Sequence, residues 1–347
     1  MSRVYLDHNA TTPLRAEARA AMIAAMDVVG NPSSVHAEGR AAKGVIEHAR
    51  GQVAEAIGAE GADIVFTSGA TEAAALACSA RDLAGSAIEH DAVLAWVRDV
   101  LAVDGAGRVD VSEPGQSVLQ SANSETGVLQ FLPSGLAVSD MTQSFGKVAL
   151  DFNGSGAAMG LISAHKLGGP KGVGALILRR GQDVPALIRG GGQEMGRRSG
   201  TENVISIAGF GAAAAAAAQD LANGVWDRVA LFRNILENAL EAGKKKTIFV
   251  GKGVPRLPNT SCFATPGWKA ETQVMQMDLA GFAISAGSAC SSGKVRASRV
   301  LQAMGYGEAV ACSAIRVSLG PETTEDQILR FAETWLAKRD KHETRAA

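Results

Sequence analysis

The run Ile162-Ser163-Ala164-His165-Lys166-Leu167-Gly168-Gly169-Pro170-Lys171-Gly172-Val173-Gly174-Ala175 constrains this chain more than any other. A small, polar approach leads to one lysine, and a glycine-rich turn follows it at once. The apolar stretch Ala175-Leu176-Ile177-Leu178 then reads as a buried strand. Glycine lets backbone come close to a bound group, so a lysine at such a turn can be held against a cofactor. Its amine can form a Schiff base with an aldehyde, and pyridoxal phosphate is the common aldehyde cofactor. Taken alone, the run reads first as a surface lysine beside a turn. The remaining chain reverses that order by supplying the other parts of such a site.

With 347 residues the chain is long enough for two domains, and 46% apolar residues can bury a large core. A net charge of -1 without a basic block argues against nucleic acid as the main partner. No apolar run approaches the ~20 residues that span a bilayer. The segment Met1 to Asp7 lacks the apolar region of a signal peptide. A cytoplasmic protein off the membrane is therefore expected. Cys78, Cys262, Cys290 and Cys312 are widely spaced and make no metal-type pair. No metal is expected, and a reducing compartment fits.

Taken in order, Leu6-Asp7-His8-Asn9-Ala10-Thr11-Thr12-Pro13 turns an opening strand into a polar loop, and Pro13 opens a helix over about 14–26. The turn Asn31 to His36 caps a helix over about 37–57. Ile64 to Glu72 reads as strand, glycine turn and helix. The amides of that helix start, with the Thr71 hydroxyl, suit a phosphate; an ordinary strand-to-helix turn is the other reading. His90 falls at the end of a short strand, and Ser121 to Gly127 forms another strand end with a turn. Asp140 opens a segment poor in charge. If buried it needs a cation, such as a protonated pyridine nitrogen, unless it is a helix N-cap. The glycine- and arginine-dense run 188–203 suits an anion nest.

A long apolar helix from Ile205, close-packed over Ala212 to Ala218 and continued past Gly224 to about Leu240, carries the chain into a second domain. There Pro258 to Ala264 reads as a strand, and Phe282 to Gly293 as a strand running into a loop of small residues around Cys290. Such a setting leaves the Cys290 thiol exposed; an inert loop cysteine is the competing view. The other three cysteines are assigned to packing. Arg316 lies inside the apolar strand 313–320 and needs an anion, either a substrate carboxylate or a salt-bridge partner. An amphipathic helix over 322–341 ends the pattern.

Six motifs now stand in order: Tyr5 to Pro13, Thr67 to Glu72, Glu89-His90, Ser163 to Lys166, Arg198 to Thr201, and Ser288-Ala289-Cys290. Together they resemble the cysteine desulfurases of the NifS/IscS type, within the class V aminotransferases. That resemblance implies an α/β protein of the pyridoxal-phosphate-dependent transferase fold type I. A mixed, mostly parallel, seven-stranded-type sheet would occupy a trimmed large domain, 14–220. A smaller α+β domain, 1–13 and 221–347, would carry the cysteine loop. It further implies a homodimer acting on L-cysteine. Lys166 would hold the cofactor, Asp140 would pair with the pyridine nitrogen, Gln143 would bond the ring oxygen, and His90 would stack on the ring and move protons. Ala70, Thr71, Ser163 and His165 would hold the phosphate, with Thr201 from the other subunit. Arg316 would grip the substrate carboxylate, and Cys290 would take the sulfur as a persulfide. The run from Cys290 to Leu301 looks like the longer loop that goes with direct delivery to an iron–sulfur scaffold protein.

Two departures stand out. The family's second asparagine before the motif glutamate is Ser124 here, which weakens Asn123 and Ser124 as substrate-binding residues. The chain is also shorter than usual, with losses between Thr71 and His90, between His90 and Asn123, and between Gly127 and Asp140. Backbone at a trimmed sheet edge stays exposed unless something covers it. Two further readings remain open at this point: a lyase acting on selenocysteine or cysteine sulfinate, and a non-catalytic desulfurase-like partner protein.

Overall fold

The structure, a computed structural model, describes residues 3–243, 247–287 and 297–346. Its largest element is a sheet of five strands in the order Asp63–Thr67, Gly174–Leu178, Met159–Ser163, Val138–Asp140, Val118–Gln120. A parallel bridge from Ser117 to Ala84 extends it to the pair Ala84–Ser86 and Arg98–Leu101, making seven strands among the described residues. Only Gly174–Leu178 runs antiparallel to its neighbours. Met159–Ser163 and Gly174–Leu178 are buried at every position, as expected of strands covered on both faces.

Two glycines set how closely this layer packs. A Cβ on Gly174 would meet Ile162 O at 2.5 Å and the Gly69 Cα at 2.8 Å. The turn before the next helix can therefore press against the strand only if position 174 has no side chain. Likewise a Cβ on Gly211 would meet the Ala49 Cα at 2.6 Å. Glycine in a helix costs about 1 kcal/mol against alanine. Here it lets Val204–Ala222 lie directly on Ala37–Ile57.

Helix Ala37–Ile57 buries Ala42, Ile46, Ala49, Val53 and Ile57, a four-three-four-four spacing that keeps one face inward. His36 caps its start and Gly58, at φ 67°, ends it. Val204–Ala222 is long and apolar enough to cross a membrane, although no such run was expected; it lies within the protein against Ala16–Met26 and Ala37–Ile57. The first helix starts at Ala16, because Arg15 turns away to bond Leu167 O and Asp220. His90 caps a four-residue helix, Asp91–Leu94, and the strand before it ends at Ser86.

A second body of structure pairs Ser285–Ala286, Ala314–Ser318, Thr260–Ala264 and Ile248–Phe249 in an antiparallel sheet. Phe263, Trp268 and Trp335 fill its core, each such side chain contributing roughly 1.5–3 kcal/mol by leaving water. Val4 and Leu6 belong to the same core, and Val4–Tyr5 pairs in parallel with Phe282–Ala283. The N-terminal segment thus joins this body before crossing to the large sheet. The loop from Asp7 to Thr12 runs along the seam between them.

Candidate active site

Parallel strands place their C-terminal ends along one edge of the sheet, where loops leave a crevice. Gln120, Asp140 and Ser163, the last residues of three of these strands, all line one cavity of about 1060 Å³. After Ser163 the chain makes a short turn, Ala164–Lys166. The Lys166 amine donates to the carbonyl oxygens of Asn9 at 2.7 Å and Ala10 at 2.9 Å. Thr12 Oγ1 donates in turn to the Lys166 carbonyl at 3.0 Å, so the N-terminal loop holds both ends of the residue.

His165 Nδ1 lies 3.2 Å from Thr11 Oγ1. Burial, reinforced by the charges of Lys166, Lys171 and Lys147, lowers its pKa to about 4. It is therefore a neutral ring near pH 7. Asp140 Oδ1 accepts from the Thr142 amide at 2.9 Å, which folds the chain back and brings Thr142 and Gln143 to the cavity wall. Across the cavity, Gly69 caps helix Ala70–Cys78. The first-turn amides of a helix have no carbonyl a turn earlier to bond, and here Ser68, Ala70 and Thr71 line the cavity at that point. His90 Nδ1 accepts from the Ala92 amide at 3.1 Å, which leaves its ring proton on Nε2.

Arg316 has the salt-bridge partner that one of the two readings asked for, and it also borders the cavity. It forms an ion pair with Asp7 at 2.9 Å and donates to Ser124 O at 2.9 Å. Its Nε is buried without a partner among the described residues, and the residue lines the cavity. Ser285 Oγ holds the two Asp7 oxygens at 2.9 Å, fixing the pair. Ser124 lines the cavity as well.

Asn123 does not. Its Oδ1 accepts from the amides of Glu125 and Thr126 and from Thr126 Oγ1, and its amide donates to Ile88 O. It is a turn-building residue, and its assignment to substrate binding is withdrawn. Thr201 is exposed and lines a smaller neighbouring hollow of about 190 Å³, which shares Ser68 and Gly172 with the main cavity. Cys290 lies outside the described residues. Cys78 and Cys262 are buried, and burial pushes the Cys78 thiol up to about 12 and that of Cys262 well above its usual value, so neither offers a thiolate.

Three ionisable residues at or beside the cavity were given no role from sequence, although Glu89 and Glu125 stand within quoted motifs. Glu89 is fully buried on the cavity wall; it accepts from the Gln120 amide, and burial raises its pKa to about 8. Burial likewise raises Glu125 to about 7. Lys147 is 1% exposed and bonds Gln143 Oε1 and Asn9 Oδ1. The only sequence signal for these was charge inside runs otherwise set for burial.

The family model for class-V aminotransferases matches residues 4–102 and 118–331. The chain belongs to the class-V aminotransferase family. A cysteine desulfurase of Cereibacter sphaeroides is 41% identical to this class-V aminotransferase family member over 96% of this chain and 95% of that protein. The IscS cysteine desulfurase of Dictyoglomus turgidum is 34% identical over 94% and 91%. Among solved structures, a NifS-like protein from Rickettsia africae superposes with a TM-score of 0.87 at 33% identity, covering 97% of this chain and 99% of that one. The fold is accordingly that of the pyridoxal-phosphate-dependent type I enzymes, with the mostly parallel seven-stranded sheet and the antiparallel strand described above.

Class-V aminotransferases use pyridoxal phosphate, and the residues present fit it. An aldehyde needs an amine, which Lys166 brings to the cavity. A phosphate needs donors, which the helix start and the hydroxyls of Ser68, Thr71 and Ser163 provide. A pyridinium nitrogen needs an anion, and Asp140 is a carboxylate on the same wall.

Proposed function

We infer that the protein is a cysteine desulfurase: with pyridoxal phosphate it removes sulfur from L-cysteine, leaving L-alanine and a persulfide on Cys290. One observation carries this reading. The Lys166 amine, the Asp140 carboxylate, the helix-start donors and the Arg316 guanidinium surround a single cavity. Lys166 would hold the cofactor aldehyde, Asp140 its ring nitrogen and Gln143 its ring oxygen. Ala70, Thr71, Ser163 and His165 would hold the phosphate, and His90 would stack on the ring. When bound, the ring withdraws electrons from the substrate and so weakens its carbon–sulfur bond.

The chain's own groups do the rest. Arg316, already steadied by Asp7 and bordering the cavity, would pair with the substrate carboxylate. His90, protonated on Nε2, hands protons to and from the substrate. The Cys290 thiolate attacks the substrate sulfur. A sulfur–sulfur bond forms, the carbon–sulfur electron pair stays with carbon, and protonation of that carbon gives alanine. The persulfide then goes to an acceptor, an iron–sulfur scaffold protein or a carrier for another thio-cofactor. The same reading makes the protein a cytoplasmic homodimer in which Thr201 reaches the phosphate of the other subunit. Its exposure beside Ser68 supports that assignment.

Purified protein with cofactor should release alanine and sulfide from cysteine. Cys290→Ala should abolish alanine formation while the visible cofactor absorbance stays. No turnover of cysteine at full cofactor loading refutes the activity. A stable, cofactor-loaded monomer by light scattering refutes the dimer.

A further inference from the structure

Lys147 is a buried amine that the proposed reaction leaves unused. Its Nζ donates to Gln143 Oε1 at 2.7 Å and to Asn9 Oδ1 at 3.3 Å, two neutral acceptors and no carboxylate. Burial, with Lys166 and Arg316 nearby, holds its pKa well below the ordinary amine value. A neutral amine has two hydrogens, and two acceptors face it; an ammonium would carry a third with nothing to bond.

The consequence falls on Gln143. A side-chain amide has an oxygen end and a nitrogen end of nearly equal shape, so its surroundings must choose between them. Here the oxygen end meets a donor, Lys147, and the nitrogen end donates to Asn9 O at 3.0 Å. Reversing the amide would leave the second Lys147 hydrogen without an acceptor and set the amide oxygen against the Asn9 carbonyl. Asn9 O is also the acceptor for the Lys166 amine. Asn9 itself is fixed by Asn259, Thr260 and Ser318 from the second body of structure. One hydrogen of the Gln143 nitrogen goes to Asn9, and the second remains for a ligand in the cavity that Gln143 lines.

We propose that Lys147 is a positioning residue: it locks the Gln143 amide so that its N–H, and not its oxygen, is presented to the cofactor ring oxygen. The proposal rests on the reading that the cavity binds pyridoxal phosphate at Lys166. Sequence patterning gives no hint of it, because a lysine seven residues after Asp140 reads as a solvated surface charge.

The test is a double-mutant cycle on cofactor binding, read from the dissociation constant of pyridoxal phosphate for cofactor-free protein and from the visible absorbance and its pH midpoint. Lys147→Met should weaken cofactor binding about tenfold, roughly one bond and its reversal, and should move the midpoint of the visible band. In a Gln143→Leu background the same substitution should change neither by more than about twofold, because the group it acts through is gone. Lys147→Gln keeps a donor near position 147 and should recover part of the loss; if Lys147→Met does not fold, Lys147→Ala takes its place in the cycle. Equal losses with and without Gln143, or an unchanged constant and spectrum in folded Lys147→Met, overturn the proposal. Absence of any visible band in the unmodified protein with excess cofactor overturns the reading of the site itself, and this inference with it.

Discussion

The two ends of the cavity are built on different physical chemistry. At one end, Ser68, Ala70, Thr71 and Ser163 offer backbone amides and hydroxyls around a helix start. None of these groups changes charge between pH 4 and 9. At the other end and along the inner wall stand Glu89, Glu125 and the Arg316–Asp7 pair, with Lys147 behind Gln143, all ionisable and largely buried. There burial decides the charge: it raises Glu89 to about 8 and Glu125 to about 7, and lowers Lys147. The first kind of end suits a phosphate, because its own donors keep the same charge across the working range of pH. A site that moves protons and grips a carboxylate needs the second.

The largest break in this contrast should come at Arg316. Arg316→Gln leaves the partly buried Asp7 beside Ser285 without its cation; loss of one partner from a buried pair costs about 3–5 kcal/mol, and the lower end applies here because Asp7 borders the open cavity. Denaturant unfolding should show that loss, and Asp7→Asn added to it should recover most of it. Glu89→Gln should come next, and its effect should depend on pH. The folded-state pKa of Glu89 is raised from 4.5 to about 8, so the folded protein keeps a proton that the unfolded chain has already released. Its contribution to stability is whole below pH 4.5 and is lost as pH rises towards 8. Glu89→Gln cannot lose a proton, so its stability relative to the parent should climb across that window, by an amount on the order of a few kcal/mol. A difference that stays flat from pH 5 to 8 would show that Glu89 is not shifted.

How much of this was legible in the sequence follows the same division. Helix Ala37–Ile57 and the strand around Leu176 announce themselves by spacing and by unbroken apolar runs, since local pattern and tertiary burial agree there. Lys166, Asp140 and Thr71 lie at the ends of such elements, where glycine turns mark a change of direction, and the structure brings them to one cavity. The burial of Glu89 and Lys147 was not legible, even with Glu89 inside a quoted motif, because a charged residue inside a strand-end or turn segment looks solvated. Only the three-dimensional packing reveals that Ile88, Gln120 and Gln143 close over them. Asn123 misled for a related reason. Its motif position suggests a ligand contact, yet its oxygen is consumed by the turn it builds. Helix Val204–Ala222 differs again. Its alanines and glycines are there to let Ala37–Ile57 approach, a reason that no single-helix composition contains.

At the helix-start end, Thr71→Val should remove one hydroxyl donor and weaken cofactor binding about fivefold, near 1 kcal/mol. That loss should be the same at pH 6.5 and 8.5, in contrast to Glu89→Gln. A pH-dependent loss at Thr71 would mean that a titrating group shares the phosphate end, and the contrast between the ends would fail. The smallest effect is expected away from the cavity, on the outermost strand of the sheet. Arg98 pairs there with Asp82 at 2.7 Å, and both side chains are more than half exposed. Solvent screens such a pair, so Arg98→Ala should cost no more than about 1 kcal/mol, independent of protein concentration. Among the described residues no strand pairs with the outer edge of Arg98–Leu101, and Val100 stands 59% exposed. If a second chain covers that edge in solution, the pair is desolvated and the same substitution should cost several-fold more, with a concentration-dependent midpoint. Measuring Arg98→Ala at two protein concentrations a hundredfold apart therefore separates an open sheet edge from a covered one.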